Sequence, residues 1–400
     1  MKLMFLVKKL IEFLMELNMC IKKPFRSMIE FSYFIFVFST VLLNSVDSLS
    51  YLTNIAFVLF ILSVIIKNIH RLTLRLTYVE KCLFGFVIID VISGIIYRGQ
   101  TAFADFYSVS SLFLLVLIAN NMKDEIDNKK IINCIILSTV ILTFWSMVVI
   151  YGTTKRLGVD VSSINNLAMR LALVSVFFIC RSFKKDRLIN TIAYIVTVCV
   201  ILLTKSRGAL IISIVLLLIA FMFLDKKTKL LTKVFVISVL VIAVYIGLSN
   251  GFIAEHTTRF NGIVQQLKKS MVTNPVTSVE YRMYYKKIGF EAFLERPILG
   301  NGFGTTRTFL RGTMFHDNYI QLLFEVGLVG LMLYLIPILG VLISAIKHKN
   351  LLSSLLCMYI LFYGIFGTTY HNKFFYVVFI LAIYNMEYEK EDTEEGLINV

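Results

Sequence analysis

His316 opens the stretch His316-Asp317-Asn318-Tyr319-Ile320-Gln321-Leu322-Leu323-Phe324-Glu325-Val326-Gly327, which closes the one long hydrophilic segment of an otherwise apolar chain. Imidazole is the side chain whose ordinary titration lies near neutrality. Asp317 has the side chain of a helix N-cap. His316 would then sit just outside a helix start, where partial positive charge disfavours an imidazolium and leaves the ring able to accept a proton. On the helix that follows, Asn318, Gln321 and Glu325 recur on one face. Glu325 is expected about 10 Å inside the membrane, at about 1.5 Å per residue. An intramembrane carboxylate needs a partner. Arg170, with Asn166 one turn above it, is expected at a similar depth, so an Arg170–Glu325 ion pair is predicted, with Asp90 as the competing partner.

Two further cations stand out. Thr204-Lys205-Ser206-Arg207-Gly208 is a very short turn between apolar runs. Ser206 can cap the next helix, which places Arg207 near a helix start, where a cation is unfavourable. A bound anion would explain it, as would a snorkelling anchor at the interface. Thr277-Ser278-Val279-Glu280 has the capping-box spacing and predicts a helix to about Glu295, which Pro297 forbids from continuing. Arg282 and Lys286 share a face of that helix, as anion-binding groups or as a solvated surface. Gly300-Asn301-Gly302-Phe303-Gly304 lacks the preceding strand and following lysine of a nucleotide loop. It reads as a turn that brings backbone close to a helix or a ligand.

Everything around these residues is built for a membrane. The chain has 400 residues, 58% of them hydrophobic, and its mean hydropathy is +0.81. A soluble domain this apolar could not cover its own surface with polar groups. The expected fold is all-α: a polytopic membrane protein of about twelve transmembrane helices, each about 20 residues long, with one large extracytoplasmic loop containing short helices. The spans are expected near 29–46, 50–66, 82–97, 105–120, 131–151, 163–180, 188–204, 208–224, 231–248, 318–346, 350–368 and 372–386. The span near 318–346 is long and contains Pro337, and is expected to be tilted or kinked.

The organisation follows from charge. Residues 1–27 form a basic amphipathic segment, 28–248 hold spans one to nine, 249–317 form the large loop, 318–386 hold the last three spans, and 387–400 form an acidic tail expected to be disordered. The net charge is +15. It falls mainly in alternate loops, which argues against nucleic acid and, by the positive-inside rule, puts both termini in the cytoplasm and 249–317 outside. The six cysteines have no metal-ligand spacing and read as small hydrophobes.

These pieces resemble the O-antigen ligase and polymerase superfamily of bacterial surface-polysaccharide assembly. The resemblance rests on Ser206-Arg207-Gly208-Ala209, Arg282, Pro297-Ile298-Leu299-Gly300-Asn301-Gly302, and His316 through Gly327 with Gly330. The family pattern shows Asn directly after the histidine; here that position is Asp317, and Asn318 follows. The resemblance implies an inverting, metal-independent glycosyl transfer from a polyprenyl-diphosphate-linked oligosaccharide, without cofactor, at the outer leaflet of a bacterial plasma membrane. It casts His316 as the group that assists the acceptor hydroxyl, and Arg207 and Arg282 as the groups that hold the diphosphate. Arg170, Glu325, Asp317, Asn318 and Lys286 would support them. A repeat-unit polymerase is the leading expectation, with a flippase and a chain-length regulator of the same pathway as partners. A ligase or a transporter of lipid-linked sugars are the alternatives.

Overall fold

The computed structural model describes residues 25–42, 49–68, 74–98, 103–149, 164–183, 187–204, 206–224 and 278–398. Among them the chain is helical, with no strand. In order the helices are α1 (Met28–Leu42), α2 (Ser50–Asn68), α3 (Tyr78–Arg98), α4 (Phe103–Asn121), α5 (Asn128–Val149), α6 (Ile164–Ser182), α7 (Arg187–Thr204) and α8 (Arg207–Leu224). Within the large loop lie α9 (Ser278–Glu295) and the short α10 (Thr306–Phe309), and after it come α11 (Asn318–Lys347), α12 (Leu351–Gly364) and α13 (Lys373–Ile398).

Each expected span coincides with a helix except that near 231–248, which lies outside the described residues. So do residues 1–24 and residues 249–277 of the large loop, which include Thr277 of the capping box. Among the described residues, four helices are long and apolar enough to cross a membrane: Tyr51–Asn68, Asn128–Val149, Arg187–Thr204 and Asn318–Lys347. The acidic tail differs from expectation, since α13 continues to Ile398. Its Glu and Lys residues are good helix formers, and no proline interrupts them.

Two helices form the centre. Residues 374–384 of α13 and 167–180 of α6 are buried on every side, as befits sequences apolar all round. The outer helices turn apolar side chains outward, as Ile55, Leu59, Leu62 and Ile66 do on α2. Such a face suits lipid, not water. Buried tyrosines tie neighbours together by donating to backbone carbonyls: Tyr359 to Met169 at 2.8 Å, Tyr363 to Asn165 at 3.0 Å and Tyr194 to Ser213 at 3.2 Å. Each buries a large ring and still satisfies its hydroxyl.

The kink of α11 is not at Pro337, which sits within regular helix. The break is at Gly327 (φ 65°, ψ −163°). Breaking the helix frees backbone groups that must find partners. Residues 297–302 supply them. The amides of Leu328 and Val329 donate to the carbonyls of Pro297 and Ile298 at 2.9 and 3.3 Å. The amides of Asn301 and Gly302 donate to the carbonyls of Phe324 and Glu325 at 2.7 and 2.9 Å.

Candidate active site

α11 starts as its sequence dictates. Asp317 takes an extended conformation and accepts from the amides of Tyr319 at 3.0 Å and Ile320 at 3.1 Å. Its other oxygen pairs with Lys286 of α9 at 2.7 Å. Lys286 also donates to the carbonyl of Ile365 at 3.3 Å. A small apolar cluster of Phe315, Phe324 and Leu310 packs against Tyr285, Ile288 and Ala292 below this pair. α9 is thereby docked onto α11 by an ion pair and an apolar cluster.

His316, one residue before the cap, has φ 54°, a left-handed conformation that few residues adopt. The cap and Phe315, which is fully buried, hold it there from either side. Its ring remains partly exposed. Partial burial, and secondarily the nearby Arg282 guanidinium, hold its pKa below the usual histidine range of 6.5. The start of α11 acts in the same direction. A neutral imidazole at this position can accept a proton and hand it to water.

The structure brings a further element to the site, the turn 365–372 between α12 and α13. Asn318, buried, accepts the amides of Thr369 at 2.7 Å and Tyr370 at 3.0 Å. Thr368 reaches the sulfur of Met314 at 3.8 Å. Phe366 packs on Gly208, where a Cβ would lie 2.9 Å from the ring. Arg207, half-buried at the first position of α8, therefore starts its helix beside the turn that also receives Lys286 and Asn318. No sequence pattern singled out this turn. The available signal was a polar run, Thr368-Thr369-Tyr370-His371-Asn372, between two apolar segments.

Glu325 is buried, but Arg170 is not its partner. Tyr370 donates its hydroxyl to one carboxylate oxygen. The amide of Thr306 at 3.3 Å and the side-chain amide of Gln321 at 3.4 Å approach the other. Gln321 also donates to the Tyr370 hydroxyl at 3.1 Å. Arg170 instead donates to the carbonyls of Asn166 at 2.8 Å and Thr40 at 3.2 Å and lies over the Phe374 ring at 5.3 Å. The expected pair fails because the break at Gly327 and the returning 297–306 segment enclose Glu325 with backbone and tyrosine donors. Nor does Asp90 take Glu325's place beside Arg170: both Asp90 carboxylate oxygens are buried without a hydrogen-bond partner. The glycines of the 300–304 turn serve close approach. A Cβ at Gly300 would lie 2.5 Å from the Glu325 carbonyl carbon, and one at Gly302 2.7 Å from Tyr97 Cβ.

The structure thus gathers His316, Asp317, Asn318, Arg282 and Lys286 around the start of α11, seats Arg207 beside a shared turn, and leaves Arg170 apart. A family model described as O-Antigen ligase matches residues 192–335, a stretch that holds each of these except Arg170. No curated protein matches the chain. With helices long and apolar enough to cross a membrane, this match implies an integral membrane protein. The match over residues 192–335 supports the resemblance of this part of the chain to the O-antigen ligase/polymerase superfamily.

Proposed function

We propose that the chain is a polysaccharide polymerase. It moves a growing glycan from a polyprenyl-diphosphate carrier onto the next lipid-linked repeat unit, at the outer leaflet of a bacterial plasma membrane. The observation that carries this reading is His316, held by the α11 cap with a depressed pKa beside Arg282. The acceptor hydroxyl oxygen attacks the anomeric carbon from the face opposite the diphosphate, and the configuration inverts. His316 takes the hydroxyl proton. The anomeric carbon–oxygen bond breaks, and its electron pair passes to the diphosphate. Arg207 and Arg282 stabilise the charge that builds there, as guanidinium forks do for phosphate oxygens. Lys286, Asp317 and Asn318 hold α9, α11 and the 365–372 turn in register. Glu325 fixes the turn through Tyr370, whereas Arg170 acts only in packing. The histidine and the two arginines supply the proton acceptor and the charge stabilisation that this step needs.

The orientation follows from the positive-inside pattern: both termini cytoplasmic and 249–317 outside. The name of the matching family favours a second reading, a ligase that delivers the finished chain to a different acceptor. The test is reconstitution with purified lipid-linked repeat units in the presence of EDTA. A product ladder, lost in His316→Ala, is the expected result. Transfer that needs an added non-carrier acceptor would identify a ligase. Single units translocated without a ladder would identify a transporter and overturn the proposal.

A further inference from the structure

The large apolar side chains that α11 exposes begin at Leu328 and run to Ile346. At about 1.5 Å per residue that belt is about 28 Å long, close to a hydrocarbon core of about 30 Å. Before Leu328 the helix exposes none, because α9, the 297–306 segment and the 365–372 turn surround it. The residues at the rim, Leu328 and Val329, are those whose amides bond to Pro297 and Ile298. Ile298 therefore sits on the rim itself and is 66% exposed. Leu294 and Phe290 stand one and two turns further up, on one face of α9, 59% and 45% exposed. The opposite face of α9 carries Ile288 and Ala292 into the cluster against α11. Arg296 lies over the Tyr97 ring at 4.6 Å, at the top of α3. Tyrosine and arginine placed this way mark a membrane–water boundary.

We propose that Phe290, Leu294 and Ile298 form a lipid-contact surface that continues the membrane belt of α11, so that the C-terminal half of α9 lies within the bilayer interface. The partner is the bilayer itself, and continuity with the α11 belt through two backbone hydrogen bonds is the reason for choosing it over a second copy of the chain. In this arrangement α9 is divided along its length. Its first turns present Arg282 and Lys286 beside His316, and its last turns are seated in lipid. The surface is independent of any transfer reaction.

The chain has one tryptophan, Trp145. In a Trp145→Phe background, Leu294→Trp and Ile298→Trp are reconstituted separately in plain phosphatidylcholine and in phosphatidylcholine brominated near the top of the acyl chains. Val329→Trp marks the belt and Lys287→Trp the upper part of α9. Emission from positions 294 and 298 is expected to fall about twofold in the brominated bilayer, as at 329, with little quenching by aqueous iodide. Quenching by iodide and not by bromolipid would overturn the proposal. So would protection from both quenchers, which would mean that protein covers the surface. Phe290→Trp provides a second reporter should either substitution fail to fold.

Discussion

At the scale of single residues, His316 occupies a backbone conformation that costs about 1 kcal/mol or more, and the Asp317 cap and buried Phe315 hold it in place. His316→Ala is expected to lower the ladder-forming rate by about 10²–10⁴-fold, the usual worth of a general base. The neutral ring is the active form, so the rate should fall as pH drops through the folded-state pKa. Because that pKa is depressed, the acid limb should lie below the ordinary histidine value of 6.5. Arg282→Gln removes one cause of the depression and should move the limb upward as well as weaken donor binding; an unmoved limb would separate Arg282 from His316. Asp90 offers a different test. Its carboxyl is buried without a hydrogen bond, and an unpaired buried polar group costs about 1–3 kcal/mol. Asp90→Asn should therefore leave the melting temperature unchanged or raise it, and a clear fall would mean that the acid is ionised and partnered. Arg170→Glu with Glu325→Arg should rescue nothing, since the two residues hold different partners.

At the scale of elements, the break in α11 and the turn that fills it form one unit. A Cβ at Gly327 would lie 2.3 Å from the Ile298 carbonyl oxygen, and one at Gly300 2.5 Å from the Glu325 backbone. Both glycines also have positive φ, 65° and 69°. Gly327→Ala and Gly300→Ala should each destabilise by about 2–4 kcal/mol from overpacking and strain combined. Pro337→Ala should cost far less, because the helix passes Pro337 without a break; thermal denaturation in detergent would rank the three. The docking of α9 rests on Lys286–Asp317. Asp317→Asn keeps the cap and loses the ion pair, whereas Asp317→Ala loses both and should be about 1 kcal/mol less stable than Asp317→Asn. The helix cap at Asp317 and the stop before Pro297 were legible in the sequence, because capping and proline chemistry act over a few neighbouring residues. The 365–372 turn was not, because its importance lies in what packs on it from α8, α9 and α11.

At the scale of the whole molecule, the end of α1 remote from the site carries its own clamp. Glu30 and Lys130 pair at 2.9 Å with both side chains buried, and the amide of Asp127 adds a bond to Glu30 at 3.1 Å. Lys130→Met should destabilise by about 3–5 kcal/mol by stranding a carboxylate, and the double variant with Glu30→Gln should recover much of it. Neither should alter the pH profile of transfer. By itself, the sequence determined the all-helical membrane character, the positions of the described helices and the candidate histidine and arginines, since hydropathy, charge bias and caps are properties of short stretches. Only the tertiary structure decided that α11 breaks at Gly327, that Glu325 answers to Tyr370 and the 297–306 backbone, that Arg170 belongs to packing, and that Pro297 and Ile298 bond to Leu328 and Val329 beyond the break. Those outcomes depend on which distant segments satisfy a broken helix's hydrogen bonds, and local pattern carries no record of that competition.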